Sequence, residues 1–408
     1  MVALAGFFSP LPANIYFPAI PLLAETFNKS IDTMNQTVTV YLVLQGLSPM
    51  LWGPLSDRYG RRIVFLLCLT VLIGSSVGLA LCPTDAFWLL LLLRCFQSGG
   101  GASAIALGAG VIGDIAEPKE RGGYFGFFNL GPQLAPCIGP VVGGALAEGL
   151  GWRSIFWSLF IMASCCLVVV ALFLPETLRS LVGNGSIPAK GASKEFIPIV
   201  GRKVTKQDVD AGAVAPKKQS VNPWTLFLLP DFVILLTFTG IIYAVNYSIT
   251  ATISSSFAVV YPYLSETALG LCYLSTGGGM ILGSTFTGKL LDWEYKRAKA
   301  RMQNDEIFCI EHARLRTMPA HLGVFVALTL GWGWSLQRGV SIAVPLVLQF
   351  WCKLCIENLR TITDLNSGLD LYRNPQHDHD SEHRYLAVSQ LGSNSMRESS
   401  VLPVQGQS

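Results

Sequence analysis

One arginine, Arg94, lies within a long apolar run, at the start of the segment RCFQSGGG. If that run crosses a lipid bilayer, the charge is costly and must face a partner or a wet cavity, which is typical of proton and substrate pathways. Gln97 follows one helical turn later and therefore lies on the same face. The pair predicts a site for proton coupling, with a structural ion pair of Arg94 as the alternative.

A second stretch, GPLSDRYGRR, concentrates charge between two apolar runs. Its glycine Gly53 lets helix backbones approach closely, and its acid Asp57 can accept bonds from arginines or from a helix N-terminus. Arg58, Arg61 and Arg62 lie where anionic head groups attract basic side chains. The stretch predicts a very short cytoplasmic turn that joins two membrane helices. The alternative for Arg61 and Arg62 is that they only fix the orientation of the chain.

Two further groups of residues are predicted to bend a helix and to line a cavity. Pro132, Pro136 and Pro140 favour bends in one apolar run, since each removes a helix hydrogen bond. Gly139, Gly143 and Gly144 leave the bend room to pack, although glycine and proline are common in membrane helices. Five polar or aromatic residues of the first and seventh runs are predicted to line an amphipathic cavity, or else to bond between helices: Asn14, Tyr16, Tyr243, Asn246 and Tyr247.

The elements that must position these residues are membrane helices. The 408 residues are 51% apolar and 13% charged, against about 25% charged in soluble domains. Nine apolar runs have the length that a helix needs to cross a bilayer, and helix satisfies their backbone polar groups internally. A tenth run, from near Val340, reaches only about Phe350. The nine runs are Val2–Leu23, Thr33–Leu51, Ile63–Leu81, Phe87–Val111, Tyr124–Leu146, Ile155–Leu174, Phe232–Ile253, Leu269–Leu291 and Ala320–Leu336.

Basic residues are distributed unequally between the two sides of these spans. The loops that follow spans two, four, six and eight hold twenty Lys and Arg residues, whereas the opposite loops hold three. Positive loops remain in the cytoplasm. The N-terminus, the central linker and loop 8–9 are therefore predicted to be cytoplasmic.

The order of the spans predicts two repeated halves, as in many transporters. A six-helix bundle over residues 1–175 is followed by a cytoplasmic linker over 176–222, a partial second bundle over 223–350 and a polar, disordered tail over 351–408. The spacing of Gly53 and Asp57 recurs at Gly288 and Asp292, at the equivalent place in the second half. Cys352-x-x-Cys355 and the later histidines do not have the spacing of a zinc finger, so no metal site is predicted.

These motifs resemble those of the major facilitator superfamily. The loop 2–3 motif matches at Gly53, Asp57, Arg58, Gly60, Arg61 and Arg62. The drug:proton antiporter branch carries Arg-x-x-Gln-Gly where this chain has Arg94, Gln97 and Ser98, and Gly-Pro-x-x-Gly-Gly where it has Gly139, Pro140, Gly143 and Gly144. The resemblance is to fungal exporters of the quinidine-resistance and polyamine type. It implies an all-α membrane protein with the major facilitator fold and 9–10 transmembrane helices.

The resemblance also implies a function. A multi-pass transporter of the plasma membrane would export amphipathic organic cations, drugs or polyamines in exchange for protons, by alternating access. No enzyme activity, cofactor or nucleic-acid partner is expected. The loop 2–3 latch of the family engages helix eleven, which the sequence does not show, so the alternative is a truncated remnant or a regulatory partner of a full-length relative. The sequence names no carboxylate that would carry the proton.

Overall fold

The computed structural model describes residues 1–116, 121–183, 194, 230–284 and 318–366, and every regular element in these residues is a helix. The first half contains ten α-helices, and the second half adds four and a further helical stretch over residues 274–284. The helices are α1 Val2–Phe7, α2 Leu11–Asn14, α3 Ile20–Thr26, α4 Ile31–Tyr59, α5 Arg61–Ala80, α6 Phe87–Gly101, α7 Ser103–Ile115, α8 Arg121–Leu150, α9 Arg153–Phe173, α10 Arg179–Val182, α11 Pro230–Val260, α12 Glu266–Cys272, α13 Met318–Gln337 and α14 Ala343–Asn366.

Seven of the predicted spans correspond to helices that are long and apolar enough to cross a membrane. They are Val2–Thr26, Ile31–Tyr59, Arg61–Ala80, Phe87–Ile115, Gly123–Leu150, Arg153–Phe173 and Leu236–Val260. This count applies to the described residues, which include only part of the eighth predicted span. Large apolar side chains on their outer faces remain exposed, as lipid-facing residues of a membrane bundle would be.

The first span is broken into short pieces by its prolines. Pro10 precedes α2, Pro12 lies in its first turn, and Pro18 lies in a 3₁₀ turn over Phe17–Ala19 before α3. A proline has no N–H to donate, so each one interrupts the helical hydrogen bonds. The pieces are nevertheless buried among α4, α6 and α8, where their irregular backbone is shielded from lipid.

One large apolar core connects the two halves. Helix α5 packs against α6 and α9, α8 packs against α1 and α12, and α13 packs against α14. The halves meet mainly where α8 lies along α12 and the stretch 274–284. We call the end of the bundle that carries Gly60 the basic end, and the end that carries Glu25, Glu148 and Glu266 the acidic end.

The predicted boundary at Phe350 is wrong, because α14 continues through it to Asn366. Cys352, Cys355 and Leu359 are buried on the continued helix. Apolar side chains recur at helical spacing along one face only, so the helix is amphipathic and its sequence contains no continuous apolar run. Residues 184–193 and 195–222 of the predicted linker over 176–222 lie outside the described residues, as do loop 8–9 with Gly288 and Asp292 and residues 367–408 of the predicted tail.

Candidate functional site

The first buried cation is Arg94 of α6, whose side chain has no solvent exposure. Its Nη1 donates to the carbonyl oxygen of Pro12 at 3.0 Å and to Oε1 of Gln97 at 2.7 Å. The guanidinium carbon lies 4.1 Å from the ring centre of Tyr16 and 4.6 Å from that of Tyr41. Within the described part of the chain, no carboxylate forms an ion pair with Arg94. Two aromatic faces therefore stabilise this charge.

The broken first span creates this site. Helix α2 ends at Asn14, so the carbonyl group of Pro12 can accept a bond from another helix instead of continuing its own. The same break lets the Ser9 carbonyl accept from the Tyr41 hydroxyl at 3.2 Å. The prolines thus supply acceptors that fix both Arg94 and one of its rings.

Gln97 extends the polar network. Its Nε2 lies 3.3 Å from Oγ of Ser76 on α5, and the adjacent Ser98 donates to the Tyr41 carbonyl at 2.6 Å. Gly100 packs its backbone directly on α5, as a side chain there would overlap the Cys68 carbonyl. The glycine run therefore serves close helix packing at this position.

The charged turn at the basic end is built around Gly60 and Glu176. Gly60 joins α4 to α5 with a φ of 108°, which favours glycine, and a Cβ there would overlap the Glu176 carboxylate. Glu176 lies after α9, and its oxygens accept from the backbone N–H groups of Arg61 at 2.8 Å and Arg62 at 3.3 Å. A carboxylate at this position complements the dipole of α5.

Arg61 pairs with two carboxylates. Its Nη2 lies 2.7 Å from Asp57 on α4, and its Nε lies 3.0 Å from Asp114 on α7. Arg62 is buried and donates to the Ala171 carbonyl at 2.5 Å. These contacts join four helices of the first half, α4, α5, α7 and α9, so both arginines do more than set orientation.

Two residues of the predicted gate lack the expected packing. A Cβ on Gly53 would meet no described atom within 4 Å, because none of the described helices covers this face of α4. The prediction of close helix approach at Gly53 is therefore wrong for the described residues. Arg58 lies over the ring of the neighbouring Tyr59, 5.5 Å from its centre.

The Gly-Pro-rich part of α8 forms the contact between the halves. A Cβ on Gly143 would overlap the Ile15 carbonyl oxygen, and one on Gly144 would overlap the Glu266 carbonyl oxygen of α12. Facing them, Gly270 packs on the Pro140 carbonyl. Glycine thus lets α8 pack its backbone against both the first span and the second half. We call the contact of α8 with α12 and residues 274–284 the glycine seam.

Towards the middle of α8 the glycine seam becomes polar. Gln133 Oε1 accepts from the Ser284 hydroxyl at 3.1 Å, and its Nε2 lies 3.4 Å from Oε1 of Glu357 on α14. Glu357 is buried, and a Cβ on Gly283 would lie 2.9 Å from its Cβ. A carboxylate therefore lies where α8, the stretch 274–284 and α14 meet.

A further buried cation is Lys353, one turn before Glu357 on α14. Its ammonium group donates to Oδ1 of Asn246 and, at 2.5 Å, to Oγ1 of Thr250, both on α11. One turn earlier, Gln349 donates to the Thr276 hydroxyl. Gln349, Lys353 and Glu357 thus present a polar ladder, four residues apart, to the other helices of the second half and to α8.

Most of the predicted cavity residues are packed in this structure. Asn14 is buried and donates to the Pro10 carbonyl at 2.7 Å, and Tyr16 covers Arg94 and bonds to Thr37 at 3.0 Å. Tyr243 and Tyr247 stack with ring centres 6.3 Å apart on α11. Of the five, Tyr16 contacts the buried charge of Arg94 and Asn246 contacts that of Lys353.

Three carboxylates lie together at the acidic end. Glu148 accepts from the backbone N–H of Thr267 at 2.9 Å, which fixes α12 on α8. Partial burial of the Glu266 carboxyl and the nearby charges of Glu25 and Glu148 raise its pKa to about 7. In the described residues no group of His, Cys, Asp and Glu has the arrangement of a metal site.

A family model described as Major Facilitator Superfamily matches residues 2–354, which include every site above except Glu357. The chain belongs to the major facilitator superfamily. Its members are transporters, and this chain is accordingly a multi-pass membrane protein of a transporter family, not an enzyme.

Curated relatives of this facilitator chain are fungal transporters. The chain is 36% identical over 392 residues to citrate exporter 1 of Aspergillus niger, covering 91% of this chain and 73% of that protein. It is 32% identical to probable transporter AQR1 of Saccharomyces cerevisiae, covering 91% and 66%. With multidrug transporter QDR2 of Candida glabrata it shares 35% over 73% of this chain and 52% of the relative. The chain thus spans between about half and three quarters of the length of these relatives.

Solved structures agree on the fold. A D-xylose-proton symporter aligns with a TM-score of 0.60 and 16% identity, covering 89% of this chain and 80% of the symporter. A bacterial homologue of the lysosomal transporter Spinster aligns with a TM-score of 0.56 and 15% identity, covering 88% and 73%. The major facilitator fold predicted from the motifs is therefore confirmed.

Sequence analysis missed the polar ladder of α14 and the role of Glu176. The ladder begins one residue before Phe350, where the apolar run ends, so its polar residues resemble the start of a polar tail. The spacing of Gln349, Lys353 and Glu357 at i, i+4 and i+8 is the signal that would have placed them on one helix face. Glu176 stands far from Arg61 in sequence, and only the fold brings them together.

Proposed function

We propose that this facilitator exports amphipathic organic cations, drugs or polyamines in exchange for protons, by alternating access. The observation that carries the proposal is the glycine seam, where the antiporter-type residues Gly143 and Gly144 pack on the first span and on α12. Where glycine exposes bare backbone, the two halves can close tightly against each other. The similarity to multidrug transporter QDR2 supports drugs as substrates.

Each of the motifs identified in the sequence has a proposed role in this transport cycle. Arg94 and Gln97 bias the protonation of a group in the path, and Pro140 shapes the hinge of α8. Asp57 and Arg61, with their neighbours, latch the basic end when it closes. The protein lies in the plasma membrane with its basic end in the cytoplasm, as the charge distribution favours.

Export of organic acids is a second candidate, which Arg94 favours. Its Nε and Nη2 atoms have no hydrogen-bond partner among the described residues, although the guanidinium is fully buried. A carboxylate is the ligand that best satisfies an arginine. The similarity to a citrate exporter points in the same direction.

Transport in proteoliposomes with an imposed pH gradient tests these proposals. The probes are radiolabelled spermidine, quinidine and citrate, each measured with and without a protonophore. We expect gradient-driven movement of one class of probe, and we expect Arg94→Ala to reduce it to the level of protein-free vesicles. Arg153→Ala is the matched control, because Arg153 contacts Cys82 and Trp152 near a loop instead.

The outcomes separate the candidates. Movement of spermidine or quinidine supports cation export, and movement of citrate supports the organic-acid candidate. Gradient-driven transport that Arg94→Ala leaves undiminished contradicts the role of Arg94. Folded protein that moves none of the probes favours the non-transporting remnant or regulatory partner of a full-length transporter.

A further inference from the structure

We propose that Glu357 is the carboxylate that binds and releases the coupled proton. The inference rests on the proposed exchange of substrate for protons, which requires such a group. Glu357 is a buried carboxylate in the middle part of the bundle, whereas Asp57, Asp114 and Glu176 belong to the basic end and Glu25, Glu148 and Glu266 to the acidic end. Among the acids named here, Glu357 is therefore the one that lies away from both ends of the bundle.

The position of Glu357 links it to the movement of the halves. It lies on α14 of the second half, and its carboxylate accepts from Gln133 of α8 in the first half. Gln133 also accepts from Ser284, so a single amide joins three helices across the interface. Any separation of α8 from the second half must break these bonds.

Protonation changes the strength of this connection. An ionised carboxylate accepts a hydrogen bond roughly twice as strongly as a neutral acid does. Ionised Glu357 therefore holds Gln133 and favours the closed glycine seam, as in this structure. When Glu357 takes a proton from water, the bond weakens and the seam can open; when it returns the proton to water on the other side, the seam closes again.

Lys353 sets the balance between the two forms of Glu357. It lies one turn away on the same helix and attracts the ionised carboxylate. Asn246 and Thr250 of α11 accept hydrogen bonds from the Lys353 ammonium group, so this group keeps its position when Glu357 is neutral. Deprotonation of Glu357 thus leaves an opposite charge beside it, which makes the ionised form tolerable inside the bundle.

Further described groups lie around Glu357. From α8 there is the uncharged Gln133, and from residues 274–284 there are Gly283 and Ser284. Helix α13 packs along α14 through Thr329 and Cys352, and carries His321 two turns before Thr329. Among these described groups, Lys353 carries a charge.

The test compares Glu357→Gln with Glu357→Asp in the full chain. The glutamine keeps the shape and still accepts from Gln133, but it cannot carry a proton. We expect it to lose pH-driven transport to the level of protein-free vesicles while substrate exchange without a gradient continues. The aspartate should restore gradient-driven transport in part. The exposed Asp32→Asn is the matched carboxylate-to-amide control.

Infrared difference spectra between acid and alkaline pH give a readout that needs no substrate. The purified protein should show a protonated carboxyl band that Glu357→Gln removes and Asp32→Asn keeps. Lys353→Met should move the pH at which this band appears upward, since it removes the charge that favours the ionised form, whereas His321→Gln should leave the band in place.

Two results would overturn the proposal. One is a transporting Glu357→Gln variant with an unchanged ratio of protons to substrate, and the other is a carboxyl difference spectrum that the substitution leaves unchanged. The proposed function can fail separately. If the wild-type protein moves no probe but the carboxyl band titrates and depends on Glu357, then Glu357 binds a proton although the protein does not exchange substrate for protons.

Discussion

Two of the three buried cations among the described residues, Arg94 in the first half and Lys353 in the second, are stabilised in different ways. Arg94 lies between the rings of Tyr16 and Tyr41 and bonds to a backbone carbonyl, with no carboxylate among its described partners. Lys353 is held by the neutral oxygens of Asn246 and Thr250 and has Glu357 one turn away. A permanently charged guanidinium suits a fixed aromatic site, whereas an ammonium beside an acid suits a site that changes charge.

The largest effect should follow from removing the rings around Arg94. Tyr16→Leu combined with Tyr41→Leu leaves the charge without its aromatic faces. A desolvated cation–π contact contributes about 2 kcal/mol, so the double variant should lose about 4 kcal/mol of unfolding free energy. Thermal unfolding in detergent, followed by tryptophan fluorescence, measures this loss.

The matched controls are Tyr16→Phe and Tyr41→Phe, which keep the rings and remove the hydroxyl bonds to Thr37 and Ser9. They should each cost about 1 kcal/mol, the value of one hydrogen bond. If phenylalanine is as damaging as leucine, the hydroxyl groups and not the ring faces stabilise the site, and the contrast with Lys353 disappears.

At the second cation, Thr250→Val should remove one acceptor of a buried ammonium. A hydrogen bond to a charged group contributes about 1.5–3 kcal/mol, so the variant should lose that amount of unfolding free energy. Adding Lys353→Met should restore most of the loss, because an apolar side chain needs no acceptor. A double-mutant cycle by thermal unfolding measures the coupling, and additive losses would show that Lys353 does not depend on Thr250.

The comparison also explains what the sequence can predict. Arg94, Gln97 and the glycines of α8 belong to local motifs, and the fold and seven spans followed from apolar length and these motifs. Lys353 and Glu357 lie on a helix with one apolar and one polar face, which hydropathy does not distinguish from a surface helix. Burial of that polar face depends on Asn246, Thr250 and Gln133, residues more than a hundred positions away, so only the folded chain reveals it.

A third basic residue, Arg61, has the two carboxylates that Arg94 lacks, yet it should matter less for stability. Its partner Asp57 is 64% exposed at its side chain, so water screens the pair. Asp57→Asn should therefore cost less than about 1 kcal/mol. Asp114→Asn should cost more, because the Asp114 side chain is only 17% exposed. Equal losses in urea unfolding of the two variants would contradict this dependence on exposure.

The smallest effect concerns the acidic end, where Glu266 has carboxylates nearby instead of a cation. Its pKa rises from an ordinary value of 4.5 to about 7, first through burial and then through Glu25 and Glu148. A raised carboxyl pKa means that the packed state favours the protonated form, so this contribution is full below pH 4.5 and is lost as the pH rises through about 7. The seam between Glu266 and α8 should therefore loosen in alkaline solution.

Glu266→Gln isolates this contribution, because it keeps the packing and removes the titration. The wild-type unfolding temperature should fall between pH 5 and pH 8 by more than that of the variant, a window that brackets the raised pKa of about 7. Glu25→Gln should reduce the difference, since it removes one of the repelling charges. Parallel pH dependences of the wild type and Glu266→Gln would show that the carboxyl titrates without affecting the seam, and that the charge balance of the bundle depends on its buried cations alone.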